Sequence, residues 1–409
     1  MSILVIRADS NSEIGSGHIM RCLALAQAWA ENSDKVVFIC AEIPLNLKNR
    51  IENEDFTVIK IESQIGSLED AQKTLAEIDN LKARLLVLDG YHFDSGYAGN
   101  LRNYPINLVS IDDWGLTNNR YAKLIIDQNI YPSNFSIPYT TEQGKILQGP
   151  HFSLLRKEFR KMRKVENRDF EKCRKILVTL GGSDPFNVSE LVIESLKLLK
   201  VHPKEPWGSR SSHCPHDSHN VGDFQGSSCS HSPHNSRNSG DFPNLSDFTT
   251  FRGSGDSQDF PNFQAQVIAG AANPRFEHLK RIANTQQNIT VLLMVDDMTE
   301  KMQWADFAIG AAGSTCWELA FLGVPAMVFA VIENQYNTAQ ALEEKGIATN
   351  LGHFRNWTPE KLAQRIYEFQ KDPKKRASQS AAGKLLFDGL GAKRVVQEIK
   401  TLEEFCHQN

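Results

Sequence analysis

The residues best suited to chemistry lie near the start of the sequence, where Arg7-Ala8-Asp9-Ser10 is followed by Ile14-Gly15-Ser16-Gly17-His18 and then Arg21. Gly15 and Gly17 let a backbone approach a ligand closely, because a residue without Cβ leaves the space beside it open. The histidine after them falls at the start of a helix, where the positive end of the dipole disfavours imidazolium. Neutral imidazole is what a general base needs near pH 7. On spacing alone His18 serves equally well as a packing group at the helix start, so both roles stand at this point. Arg7, Gly15, Gly17 and Arg21 read as substrate contacts. The competing reading of Arg21, early in its helix, is a solvated surface group.

The second half of the chain holds complementary features. Gly181-Gly182-Ser183-Asp184 follows an apolar run, and Gly310-Ala311-Ala312-Gly313-Ser314-Thr315 leads into a stretch carrying Glu318. Backbone amides at a helix start bind diphosphate oxygens, and the hydroxyls of Ser314 and Thr315 add donors; a plain tight turn is the alternative for each loop. Glu318, one turn further on, can accept from ribose hydroxyls or merely complement the dipole. In Glu333-Asn334-Gln335-Tyr336-Asn337, the amides of Asn334 and Gln335 can read sugar hydroxyls or cap the next helix.

These loops need strands to carry them. Short β-branched runs at 3–6, 36–39, 57–61, 85–88, 108–111 and 124–126 alternate with helical patterns at 19–30, 45–53 and 68–81. That alternation predicts an α/β fold, a parallel sheet covered on both faces by helices. A charge-rich stretch at 155–174 precedes a second series, with strands at 175–180, 266–268, 290–293, 307–309 and 326–329 and helices at 188–199, 359–370 and 392–404. The expected organisation is a first lobe at 1–155, a second at 174–409, and a cleft between them, with the last helix packing back across the first lobe. In such sheets ligands bind beyond the carboxyl ends of the strands, where the glycine loops fall.

The 409 residues and net charge of −4, without a long basic run, fit two lobes and a small polar partner and speak against nucleic acid or a stable membrane association. The opening MSILVIRADS is too short and too soon charged for a signal peptide or span, which places the protein in the cytoplasm as an expectation. Seven scattered cysteines without a CxxC pair read as reduced thiols. The segment 201–263 changes character: Ser, His, Asn, Gly and Asp dominate, and Ser212-His213-Cys214-Pro215-His216 recurs as Ser230-His231-Ser232-Pro233-His234, a period of 18 residues. Such a composition cannot build a core and reads as a disordered surface insert. Its crowded histidines suggest a metal site, but no spacing fixes a geometry, and no metal or cofactor is assigned.

Taken together and in order, Arg7-Ala8-Asp9-Ser10, Ile14-Gly15-Ser16-Gly17-His18, Asp89-Gly90-Tyr91, Ser110-Ile111-Asp112-Asp113, Gly181-Gly182-Ser183-Asp184 and Ala312-Gly313-Ser314-Thr315-Cys316-Trp317-Glu318 resemble the motifs of the PseG-type hydrolases. The resemblance covers nearly the whole chain except the insert. It implies two Rossmann-like lobes of GT-B type, similar to MurG, and metal-independent hydrolysis of UDP-2,4-diacetamido-2,4,6-trideoxy-β-L-altropyranose, with inverting C–O cleavage at the anomeric carbon, in the making of pseudaminic acid for flagellin and other surface glycans. It places the catalytic histidine on His18, with Tyr91 and Asp9 beside it handling water. It places UDP on the second lobe against Gly182, Ser183, Asn273, Gly313, Ser314, Thr315 and Glu318, with Gln335 toward the sugar. The insert departs from the family pattern and interrupts the nucleotide-binding lobe. Two other classes remain open: a GT-B glycosyltransferase passing the sugar of a UDP-sugar donor to an acceptor, and a non-catalytic subunit that binds a sugar nucleotide.

Overall fold

In the computed structural model, which describes residues 2–31, 34–113, 115, 120–135, 137, 139, 144–162, 168–199, 263–270, 273–293, 295 and 297–406, apolar runs and glycine loops sort into two parallel sheets. The first contains β1 (Ile3–Ala8), β2 (Lys35–Cys40), β3 (Thr57–Lys60), β4 (Leu85–Asp89), β5 (Asn107–Ile111), β6 (Leu124–Asp127) and β7 (Lys145–Gln148). Their order is β3-β2-β1-β4-β5-β6-β7, so the winding reverses between β1 and β4. The helices joining them are α1 (Gly17–Ala30), α2 (Leu45–Glu52), α3 (Leu68–Leu81) and α4 (Ser95–Leu101). Successive strand residues bury on opposite faces: Leu4 and Ile6 pack with Leu23, Trp29 and Phe38, whereas Val5 packs with Leu75, Leu86 and Tyr97.

The second sheet contains β8 (Lys175–Thr179), β9 (Gln264–Ala269), β10 (Ile289–Leu293), β11 (Phe307–Ala311), β12 (Ala326–Ala330) and β13 (Ala348–His353), ordered β10-β9-β8-β11-β12-β13. Its reversal lies between β8 and β11. Its helices are α6 (Val188–Leu198), α7 (Phe276–Ala283), α8 (Met298–Trp304), α9 (Thr315–Phe321), α10 (Gln335–Glu344), α11 (Pro359–Gln370) and α12 (Pro373–Leu386). The long sequence between α6 and β9 leaves the pairing intact, since β8 and β9 run in unbroken register from Lys175↔Gln264 to Thr179↔Ile268. Leu199 and Phe263, which flank that sequence, are both buried. The histidine-rich repeat and its metal reading fall on residues outside those described.

The chain passes between the sheets twice. After β7, the 3-10 turn Pro150–Phe152 and α5 (Lys157–Lys161) lead to β8, and Ile130, Leu155 and Phe159 enter the core of the second sheet beside Trp317. At the other end α13 (Gly391–Cys406) returns to the first sheet, where Val395 and Ile399 join the core with Trp29. Arg394 donates to His151 O at 3.0 Å, and Lys400 reaches Asp34 at 3.0 Å. The two sheets therefore belong to one compact unit.

The strands read from sequence are present, and the structure adds β7 and β13 at the edges. β7 buries only Leu147, and in β13 polar Thr349 and Asn350 follow the opening Ala348, so neither has the apolar run of a central strand. No helix among the described residues is long and apolar enough to cross a membrane.

Gly391 sets the docking of α13, because a Cβ there would stand 2.3 Å from Ser153 O and 2.6 Å from Ser153 N, both fixed backbone. Gly391→Ala is expected to destabilise by about 1–3 kcal/mol through overpacking, read as a lower midpoint in thermal or urea unfolding.

Candidate functional site

Both sheets reverse their winding at the ends that carry the glycine loops, and the catalytic candidates gather there. β1 runs through Gly15 and Gly17 into α1, placing His18 in the first helical turn, while β4, its neighbour across the reversal, ends on Asp89. His18 Nδ1 lies 2.7 Å from Asp89 Oδ1. One turn further along α1, Arg21 donates to the same carboxylate through Nε (2.7 Å) and Nη2 (2.6 Å), and Cys22 Sγ donates to Oδ2 at 3.2 Å. Arg21 Nη1 reaches Asp113, just beyond β5, at 2.6 Å. Arg21 is 7 % exposed and Asp89 fully buried, so Arg21 is a core ion-pair partner and its solvated-surface reading is set aside.

Burial alone would push the Asp89 carboxyl upward, but Arg21 and His18 outweigh it and hold the group well below the usual carboxylate range. An ionised Asp89 requires His18 Nδ1 to be the donor. In the neutral imidazole the remaining nitrogen, Nε2, would be an acceptor, and it has no partner among the described residues. Tyr91 stands edge-on to the imidazole with ring centroids 5.0 Å apart. Its hydroxyl donates to Asp113 at 3.3 Å and accepts from Asn334 Nδ2 of the second lobe at 3.0 Å, bridging the cleft. Burial and Asp113 raise the tyrosine above its ordinary value, so it stays a neutral phenol.

Asp9 and Arg7 lie elsewhere. Asp9 Oδ2 accepts from Arg7 Nη1 at 2.6 Å, and Oδ1 accepts from the backbone N–H of Ala41 (2.7 Å) and Glu42 (2.9 Å). Arg7 completes a fork on Asp70, through Nε at 2.9 Å and Nη2 at 2.6 Å, and Tyr97 and Thr74 also bond Asp70. Both acids are spent on tying the end of β1 to neighbouring loops. The structure therefore groups Asp89 and Asp113, rather than Asp9, with His18 and Tyr91, and makes Arg7 a buried positioning residue.

On the second lobe Gly182 approaches the loop before α1, since a Cβ there would lie 2.7 Å from Ser16 Oγ. The backbones after β8 and β9 also touch, a Cβ on Gly270 falling 2.1 Å from Gly182 O. Ser183 is buried in that loop. Asp184, at φ +42°, accepts from the N–H groups of Val188 and Ser189 at 2.9 Å each. It thereby fills the start of α6 with the chain's own carboxylate. The loop Gly313-Ser314-Thr315 is different, because Ser314 makes no side-chain cap on α9 and is exposed. Gln335 Oε1 accepts from Val331 N at 3.0 Å, and its Nε2 stands 3.6 Å from where a Gly313 Cβ would be. Asn273 is buried, with Oδ1 bonded to Arg275 N and Nδ2 unpartnered.

Glu318 is paired with the connector between the lobes. Its Oε1 accepts from Arg156 Nε (3.1 Å) and Nη2 (2.8 Å). Burial raises the Glu318 carboxyl even though Arg156 pulls it down. Helix α9 is thus pinned to the segment entering the second lobe, a link invisible in sequence because the partners are 162 positions apart. Asp89 had only a partial local signal, an acid ending an apolar run before a glycine; its place beside the glycine loop comes from strand order.

Comparison with known proteins bears on this arrangement. The glycosyltransferase family 28 C-terminal domain matches residues 253–395. The spore coat polysaccharide biosynthesis protein SpsG of Bacillus subtilis is 24% identical, with 98% of each chain covered. An uncharacterized protein of Methanocaldococcus jannaschii is 24% identical over 80% of this chain, which spans 55% of that protein's length. The UDP-2,4-diacetamido-2,4,6-trideoxy-β-L-altropyranose hydrolase of Campylobacter jejuni is 26% identical over 48% of this chain and 67% of its own. Among solved structures, Acinetobacter baumannii MurG superposes with a TM-score of 0.56 at 15% identity, covering 98% of this chain and 99% of its own. S. aureus MnaA with UDP gives 0.62 at 10%, covering 98% and 97%. Anabaena HepE with UDP-glucose gives 0.57 at 13%, covering 99% and 100%. The fold is GT-B: two parallel-sheet α/β lobes facing each other across a cleft, the second carrying a match to the family 28 C-terminal domain.

Asp89 stabilises the folded state fully above its unfolded value of about 3.9; that contribution declines as pH falls below it and is gone once pH has passed the depressed folded value. Arg21→Met leaves Asp89 and Asp113 without their cation, at a cost of about 3–5 kcal/mol. The stability deficit of the variant against wild type should be largest near neutral pH and shrink toward pH 3, measured by urea unfolding across that range.

Proposed function

We propose that this chain is a UDP-sugar-processing enzyme in which His18 takes a proton from an oxygen nucleophile that attacks the anomeric carbon of the sugar. The observation that carries the reading is the His18–Asp89 pair at the winding reversal of the first sheet, with Nε2 left open. As the nucleophile's oxygen bonds to the anomeric carbon, its proton passes to Nε2, and the bond from that carbon to the diphosphate oxygen breaks with its electron pair leaving on UDP. Attack opposite the leaving group inverts the centre. Asp89 stabilises the imidazolium that forms, while Arg21 Nη2, 3.2 Å from Nδ1, tempers that effect. Gly182, Ser183, Asn273, Gly313, Ser314, Thr315 and Gln335 are the groups this reading assigns to the nucleotide and its sugar; amide and hydroxyl donors aimed at the diphosphate would stabilise the departing charge.

The identity of the nucleophile separates two readings. A sugar hydroxyl, and hence glycosyl transfer, is the better supported by the comparisons: the matched domain is that of a glycosyltransferase family, and the relative matched end to end bears the name of a polysaccharide biosynthesis protein. Water, and hence hydrolysis of UDP-2,4-diacetamido-2,4,6-trideoxy-β-L-altropyranose, is favoured by the ordered motifs around His18, Tyr91 and Glu318 and by the partial match to that hydrolase. Both use the same base.

UDP release from that sugar nucleotide, in EDTA without an acceptor, decides between them. Release by the protein alone supports hydrolysis, release only on adding saccharides supports transfer, and neither release nor calorimetric binding of UDP sinks both. His18→Gln should bind UDP while losing roughly 10²–10⁴-fold in turnover, the usual contribution of a positioned base; parallel loss of UDP affinity would contradict this division of labour.

A further inference from the structure

Beyond Asp113, toward the β7 edge of the first sheet, lies a pocket of about 300 Å³, at the small end of the range for ligand sites. Tyr131 and Phe135 stack on one side of it, ring centroids 5.3 Å apart and planes 25° from parallel. Phe135 is 41 % exposed, so part of its ring is open to a ligand in the pocket. Asn129 and Gln148 also line the pocket, with Lys345 facing it from the end of α10.

The two amides are oriented. Asn129 Nδ2 donates to Asp113 O at 3.1 Å, and Gln148 Nε2 donates to Asp127 Oδ2 at 3.0 Å. Their carbonyl oxygens, Asn129 Oδ1 and Gln148 Oε1, have no partner among the described residues, so the site offers two fixed acceptors. The Lys345 ammonium makes no ion pair among those residues. Ring faces carrying negative quadrupole, amide acceptors and one cation are what a pyranose needs: C–H groups for the rings, hydroxyl donors for the amides, and a ring or hydroxyl oxygen for the ammonium.

The pocket is connected to the reaction centre. Tyr131 Oη donates to Asp113 O at 2.6 Å, and the carboxylate of the same residue holds Arg21 and Tyr91. Asp127 ends β6 and Asp89 ends β4, with β5 between, so two strand spacings separate them, about 10 Å. That span exceeds one pyranose ring.

We propose that this pocket is the outer subsite for an oligosaccharide acceptor, holding one sugar ring while the next presents its hydroxyl to His18 Nε2. The inference rests on the transfer reading above. The saccharide stacks on Phe135 and Tyr131, and Asn129 and Gln148 fix the orientation of its hydroxyls.

The test is saturation-transfer NMR of the full chain with maltose, cellobiose and N,N′-diacetylchitobiose, beside UDP calorimetry on the same sample. The expected result is a signal from at least one disaccharide, at least tenfold weaker binding in Phe135→Ala and retention in Phe135→Trp, with Tm values showing both variants folded. No signal from any disaccharide, or one unchanged in Phe135→Ala, overturns the proposal. UDP binding with no disaccharide binding overturns the pocket alone; disaccharide binding with no UDP binding overturns the function and with it the acceptor role.

Discussion

One buried carboxylate organises the centre of this molecule. Asp89 terminates a central strand and receives hydrogen bonds from three residues of a single helix, His18, Arg21 and Cys22. A charge so placed is tolerable only when paired and fully hydrogen-bonded. Satisfying it fixes the rotation and height of α1, the tautomer of the imidazole and, through the second branch of Arg21, the position of Asp113. The glycine loop before α1 follows from that constraint, since the chain must leave β1 and turn into a helix whose first residues are already assigned to the neighbouring strand.

A second buried network steadies the same strand end from the other side. Arg7 bonds both Asp9 and Asp70, and Asp9 holds the backbone of Ala41 and Glu42 after β2. The two networks divide the strand-end acids between them: one ties β1 to neighbouring loops, the other holds the His18 imidazole at the head of α1. Across the cleft the contacts are fewer and each is specific. Gly182 accommodates Ser16, Asn334 meets the Tyr91 hydroxyl, and Arg156 binds Glu318. The helix carrying the glycine-serine loop and the helix carrying the histidine are thus set in relation to each other by polar contacts and close backbone approach.

Much of this was legible in the sequence. Alternating β-branched runs and helical periods predict the parallel sheets, and glycines after strands predict where the loops face, because period and turn chemistry are local properties. The position of His18 in the first turn of α1 was legible for the same reason. The roles of the acids were not: Asp9 and Asp89 both end apolar runs, and which one faces the histidine depends on strand order, a long-range property. The edge strands β7 and β13 escaped because an edge needs only one apolar side, and α12 because its sequence, PKKRASQSAAGKLL, is nearly all small or charged. Asp184 looked like part of an anion cradle, yet its carboxylate already occupies the helix start that an anion would use.

The unbroken pairing of β8 with β9 has a consequence for how such a chain can vary. In a parallel α/β unit the helix carries the chain back to the edge where strands begin, so Leu199 and Phe263 sit at the margin opposite the glycine loops. With both ends anchored in the core, each doubling of the length between them costs only about 0.6 kcal/mol in closure entropy. The sheet has in effect a conservative rim and a permissive one. Length added at the second leaves the strand pairing intact, as the unbroken register of β8 with β9 shows.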